Sequence, residues 1–191
     1  MTPWYKLNID TTDCFLPNYT FPTPTGLYGV WHPKASEVFN RQWLIYLLRL
    51  GIPLYTVMIF YRGPGASTAH AHVDVAKPDP LKFTPWGINW VFGGKDSKMT
   101  WYEPQTVTKE DISYTAAKTP YIHWPIKNLK EIDNLELTEK NTYLVRTDIP
   151  HSIKMSSDPR WCFSARLSIP DSINWESTVN MLKSKNLLVE R

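Results

Sequence analysis

The spacing of apolar residues along the 191-residue chain changes near residue 54. Before that point, "SEVFNRQWLIYLLRL" (36–50) carries Phe39, Trp43, Leu47 and Leu50 at steps of three and four, the repeat of one helical face. Ser36 is a natural N-cap, and Glu37 sits in the first turn, where the helix dipole favours a carboxylate. Arg49, Gly51 and Pro53 supply a stop. The pattern predicts a helix over 36–50 that packs its apolar face on a sheet. From Leu54 onward the period falls to two. "LYTVMIFY", "AHAHVDV", "GINWVFGG", "KMTWYEP", "TPYIHWPI", "NLEL", "NTYLVRT" and "RWCFSARLSI" read as short strands separated by turn residues such as "RGPGAS". Many short strands without alternating helices predict a mainly β domain, a sandwich or a barrel. Residues 1–33, rich in Pro and Thr, read as extended segments and turns laid on that domain. The tail from Asp171 places Trp175, Val179 and Leu182 on one stripe, predicting a short terminal helix. No repeat or linker divides the chain, which reads as one domain over 1–191.

The strand "AHAHVDV" (69–75) carries the chemistry. Residues two apart on a strand point the same way, so His72 and Asp74 share a face. Taken alone, the pattern is better read as the polar side of a half-exposed strand. A second segment, "TYLVRTDIPHSIKMSSDPRWCFSAR" (142–166), changes the weighing. A strand there ends in Pro150-His151, a polar turn follows, and another strand opens at Arg160. His151 on a neighbouring strand would be a third ligand, and two imidazoles with one carboxylate form the facial triad of non-haem Fe(II) oxygenases. Arg160, Cys162, Ser164 and Arg166 share one face of the last strand. An inward arginine in an apolar strand needs an anionic partner, because burying it unpaired is costly.

Composition narrows the classes without choosing among them. The chain is 42% hydrophobic and 20% charged, with a net charge of +3 and its basic residues dispersed. No dedicated nucleic-acid-binding patch is evident. No apolar run is long enough to span a membrane, and the N-terminus lacks the layout of a signal peptide, so a cytoplasmic location is expected. Cys14 and Cys162 form no CxxC pattern and are expected to be reduced. Nine tryptophans fit either an aromatic core or a ring-lined groove.

Three segments, "FYRGPGASTAHAHVD", "INWVFGGKDSKMTWYEP" and "YLVRTDIPHSIKMSSDPRWCFSARL", together resemble the Fe(II)/2-oxoglutarate-dependent oxygenases of the small prolyl-hydroxylase-like kind. These include stand-alone versions found in phage genomes, which would act in a host cytoplasm. The ordered set of HxD, His and Arg carries the resemblance over about residues 54–168, with the helix at 36–50 as its support. It implies a double-stranded β-helix, a jelly-roll or cupin-like fold with flanking helices. It also implies that His72, Asp74 and His151 bind Fe(II) and that Arg160 pairs with the distal carboxylate of 2-oxoglutarate. Tyr61 would donate its hydroxyl to that carboxylate, Arg166 would be an alternative or additional partner, and Asn89 would contact the cofactor near the metal. Asn141 stands where the family's turn usually has Gly, a mild change. Halogenating relatives lack the carboxylate that Asp74 supplies, so the resemblance implies a hydroxylase or oxidative demethylase with O2 as co-substrate.

Around this site, His70 shares the parity of His72 and is left out of the triad. His32 and His123 read as structural or surface residues, Asp148 as a candidate to orient His151, and Trp101 and Tyr102 as packing or the border of the mouth. Substrates open to such a site are a peptidyl residue, a nucleobase or a small molecule, with fold analogy favouring the peptide. Two other classes remain: a non-catalytic jelly-roll using aromatic platforms, and a metal-dependent cupin enzyme that does not use 2-oxoglutarate.

Overall fold

The structure, a computed structural model, describes residues 2–54, 57–66, 69–75, 86–108, 111–114, 120–139, 141–154, 157–165 and 174–189. In chain order its elements begin with β1 (Trp4–Leu7), β2 (Tyr28–Trp31), α1 (Arg41–Arg49), β3 (Val57–Arg62), β4 (His70–Val73), β5 (Trp86–Gly93) and β6 (Lys98–Tyr102). There follow β7 (Ser113–Tyr114), β8 (Pro120–Pro125), β9 (Glu131–Glu136), β10 (Thr142–Arg146), β11 (His151–Lys154), β12 (Arg160–Ala165), α2 (Trp175–Ser184) and β13 (Leu188–Val189). Among the described residues the strands form a seven-stranded sheet, in the order β13-β1-β10-β5-β12-β3-β2, and a six-stranded sheet, β7-β8-β4-β11-β6-β9. Neighbouring strands run antiparallel throughout. The protein is thus a mainly β sandwich.

Side-chain parity divides the larger sheet into two faces. Ile59 of β3, Ile88 and Trp90 of β5, Leu144 of β10 and Phe163 of β12 point outward into one core, where Trp43 and Leu47 of α1 and Trp175 and Leu182 of α2 meet them. Phe60, Val91, Tyr143, Val145 and Cys162 point the other way and join Met99, Trp101, Leu135 and Ile153 of the smaller sheet in a second core. All nine tryptophans are buried or half-buried, so none of them is a fully exposed stacking platform. Edge and tilted contacts such as Trp43–Trp90 at 5.4 Å and Phe15–Phe163 at 5.2 Å bind the outer core together.

The helix starts later than its apolar spacing suggests. Residues 35–37 form a 3-10 turn, in which the Glu37 carboxylate accepts from the Lys34 N–H at 2.9 Å. Phe39 is extended and bridges to Phe15, so its ring joins the core from outside the helix. Asn40, not Ser36, is the N-cap of α1, with its side chain accepting from the Trp43 N–H at 2.8 Å. The C-terminal stop is as expected: Gly51 adopts φ +77°, and Ile52 and Gly51 donate to the carbonyls of Leu47 and Leu48, a Schellman close. α2 ends the same way with Asn186 at φ 56°. The N-terminal segment and the tail do more than lie on the domain, since β1, β2 and β13 are strands of the larger sheet.

No helix among the described residues is long and apolar enough to cross a membrane. Cys14 and Cys162 are both free and buried, and burial pushes the Cys14 thiol up to about 11.

Asn40 also donates its amide to the Asp13 carbonyl, tying α1 to the N-terminal segment. Asn40→Ala should therefore lower stability by about 1–2 kcal/mol, read as a lower urea midpoint at unchanged slope. A midpoint equal to that of wild type would show that the cap contributes nothing.

Candidate metal centre

Three ligand-type side chains converge on the inner face of the smaller sheet. On β4, Ala71 and Val73 are buried on one side, which sends His70 and His72 to the other. Asp74 lies one residue past the strand, and its N–H donates to the Thr147 carbonyl at 2.9 Å, fixing where its carboxylate emerges. His151 opens β11 and faces His72 directly in register. The sequence pattern had this residue closing a strand. It begins one instead, which runs to Lys154 with β6 as its other neighbour.

The two imidazole centroids are 4.4 Å apart, and His72 Nε2 is 3.7 Å from Asp74 Oδ1. One ligand atom from each of His72, Asp74 and His151 lies within 4.8 Å of the others, a spacing that suits a single divalent cation. His151 Nδ1 is 3.1 Å from the Ile149 carbonyl. With Nδ1–H donating there, the ring's basic lone pair is on Nε2, and the ring is held in one orientation, as metal-binding histidines require. Asp148 does not have that task. Its carboxylate is paired with Arg146, at 2.7 Å from Nε and 3.1 Å from Nη2.

The opposite wall of the cavity belongs to the larger sheet. Arg160 and Ser164 of β12 and Asn89 of β5 all line it, and Ser164 stands directly across from Asn89. Each is buried and carries a polar atom without a hydrogen-bond partner: Arg160 Nε, Ser164 Oγ and Asn89 Oδ1. Arg160 is only 3% exposed, and burial pushes its proton affinity below that of an ordinary arginine, the neighbouring Cys162 acting in the opposite sense. Buried polar groups in folded proteins are ordinarily paired. Two of these orphans, the cationic Arg160 Nε and the Ser164 hydroxyl, are donors that a polar anion would satisfy, whereas Asn89 Oδ1 is an acceptor that calls for a donor. Gly94 makes room for the Arg160 side chain, since a Cβ there would lie 2.6 Å from Arg160 Cβ, and its φ of +65° is unfavourable for other residues.

Several expectations change. Tyr61 points to the outer face, opposite Trp161 in register with ring centroids 4.7 Å apart, so it does not line the cavity. Strand alternation puts its neighbour Arg62 inside instead, together with Phe60. Arg62 was legible only by counting parity along "VMIFYR" from the apolar Val57 and Ile59. Arg166 lies outside the described residues. Trp101 is packing: it is fully buried, and Nε1 donates to the Arg146 carbonyl at 2.8 Å. Tyr102 is also buried, with its hydroxyl 3.0 Å from Ser152 Oγ. His32 is exposed, as expected. His123 is half-buried on β8, opposite His72 of β4, and its ring meets that of the exposed His70 at 4.7 Å.

No protein-family model matches the chain, and no curated protein matches it. Among solved structures, the X-ray structure of E. coli ycfD is similar at 13% identity and a TM-score of 0.34. That likeness covers 68% of this chain and 30% of ycfD, so the chain spans under a third of that protein's length. A likeness of this size leaves fold and function to be argued from the residues themselves.

The two walls should separate in a titration with Co(II). Alanine at His72, Asp74 or His151 should weaken cobalt binding beyond the roughly 10–100-fold typical of a residue that only supports a ligand. Gly94→Ala, which disturbs the other wall, should leave it within about twofold of wild type, well below that roughly 10–100-fold range. Equal cobalt affinity in wild type and His151→Ala would remove the metal assignment.

Proposed function

We propose that the protein is an Fe(II)- and 2-oxoglutarate-dependent oxygenase of the hydroxylase type, built on a double-stranded β-helix. The observation that carries this reading is the pairing of walls: a two-histidine, one-carboxylate triad faces, across one cavity, a buried arginine whose Nε has no partner. A metal site alone fits many enzymes. The buried cation opposite it calls for a ligand with a negative charge at one end and metal-binding oxygens at the other, which is the chemistry of a 2-oxo dicarboxylate.

His72, Asp74 and His151 would hold iron from one side, leaving its remaining positions for 2-oxoglutarate and O2. When bound, these supply oxidative decarboxylation coupled to insertion of an oxygen atom into a substrate C–H bond. The chain's own residues bind, orient and exclude. Arg160 stays charged when desolvated and offers a planar fork to the distal carboxylate. Ser164 can donate its hydroxyl to the same ligand, and Asn89 could do so only through its amide N–H, since the orphan Oδ1 is an acceptor. The Asp74 carboxylate offsets one of the metal's charges. His151 is 4% exposed, whereas the side chains of His72 and Asp74 are 35% and 22% exposed. Substrate would therefore approach over the β4 side of the triad, past His70 and His123, while the Arg160 side stays dry.

The cytoplasm is the proposed location. A cupin enzyme without 2-oxoglutarate would leave the buried Arg160 unexplained, and the aromatic-platform reading loses its basis with every tryptophan buried or half-buried.

Anaerobic titration with Fe(II) and 2-oxoglutarate tests the proposal through the visible charge-transfer band of the ternary complex. Wild type should give the band, His72→Ala should abolish it, and Arg160→Gln should shift its half-saturation upward by about 10–100-fold, the loss of a charge-assisted pair. Wild type that gives no band at millimolar 2-oxoglutarate would exclude the reading.

A further inference from the structure

Arg62 and Arg160 stand directly opposite one another on β3 and β12. Cross-strand partners share a face, with Cβ atoms roughly 4.5–5.5 Å apart, and like charges in that position are destabilising. Both arginines line the cavity. Burial, and then the nearby Arg160 charge, lower the proton affinity of Arg62, so the two cations feel each other. Neither makes an ion pair with a carboxylate among the described residues. The Arg62 guanidinium rests over the Tyr28 ring, 5.4 Å from its centroid, a contact that supports the charge without neutralising it. A glutamine or leucine at position 62 would fit a half-buried strand end at less electrostatic cost. Two facing guanidiniums at a cavity wall are stabilised when an anion bridges them.

We propose that Arg62 is a second anchor for the anion held by Arg160, the two guanidiniums clamping one terminal oxyanion group between β3 and β12. The clamp makes Arg62 an affinity- and specificity-determining residue of the cavity. It rests on the oxygenase reading only for the ligand's name. Under that reading the clamped group is the distal carboxylate of 2-oxoglutarate. The carboxylate's two oxygens would then be shared between two forks, one from each strand.

The test compares the full chain as wild type, Arg62→Gln and Arg62→Lys. For each, calorimetry measures binding of 2-oxoglutarate to the Mn(II)-loaded protein and of inorganic phosphate to the metal-free protein. Melting temperature of the ligand-free protein is recorded alongside. Arg62→Gln should weaken binding of the anion by about 10–100-fold. It should also raise the ligand-free melting temperature, because a like-charge pair has been relieved, whereas a merely structural Arg62 would lower it. Arg62→Lys keeps the repulsion but loses the fork, so it should bind weakly without the gain in melting temperature. If the glutamine variant fails to fold, the lysine variant carries the binding comparison. Should wild type ignore 2-oxoglutarate yet bind phosphate in an Arg62-dependent way, the clamp stands and the oxygenase reading falls. Anion affinity unchanged in both variants, or no binding of either anion by wild type, overturns the clamp.

Discussion

The candidate site hangs on a single register position. His151 opposite His72 is the one paired position between β11 and β4, and that pairing joins the β7-β8-β4 half of the smaller sheet to the β11-β6-β9 half. Strand side chains alternate, so a slip of one residue would turn either imidazole to the far face and dismantle the triad. Two interactions just beyond the strands hold the register. The Asp74 N–H donates to the Thr147 carbonyl, and the Tyr102 N–H donates to the Pro150 carbonyl, each at 2.9 Å. The same bonds that end the strands set the height of the third ligand. A metal bound to His72, Asp74 and His151 would in turn stabilise the weakest seam of the sheet, which couples metal affinity to folding.

The larger sheet answers a different demand: it must keep charged and polar groups dry without yielding. Along β12 the parity is strict, with Arg160, Cys162 and Ser164 toward the cavity and Phe163 and Ala165 toward the helices. Phe163 is fully buried and touches Phe15, Tyr19, Phe21 and Phe92. A strand anchored by such a cluster has little freedom to move its inner side chains. That stiffness lets Arg160 remain buried at 3% exposure with Nε unsatisfied, an arrangement that costs stability in the ligand-free protein. Apolar packing on one face thus offsets the electrostatic strain held on the other.

Much of this was legible in the chain, and the failures share a cause. His72 and Asp74 were readable because period-two spacing needs no knowledge of partners. The C-terminal stop of α1 was readable because Gly51 carries its own backbone preference. The start of α1 was misread, since Asn40 competes with Ser36 as a cap and only the tertiary bridge between Phe15 and Phe39 decides between them. Tyr61 rested on the family resemblance, which matches residue types along the chain, whereas orientation follows the pairing of β3 with β12 and turns Arg62 inward instead. The partner of His151 was left open by spacing alone. Asp148 is the obvious carboxylate nearby, yet Arg146 engages it and leaves the Ile149 carbonyl to orient the ring. Local spacing carries periodicity and caps; which of two adjacent residues faces inward depends on pairings distant in the chain.

The division between the sheets has a chemical consequence. The candidate metal ligands arise from β4, the residue after it and β11 of one sheet, and the proposed anion-binding groups from β3, β5 and β12 of the other. A ligand reaching from the metal to Arg160 would span the sandwich and cross-link its layers. Metal and anion should then stabilise the fold cooperatively, each reducing the freedom that the other must remove. Among the described residues neither Arg62 nor Arg160 pairs with a carboxylate, so on the proposed reading the charge balance of the cavity would be completed by what it binds.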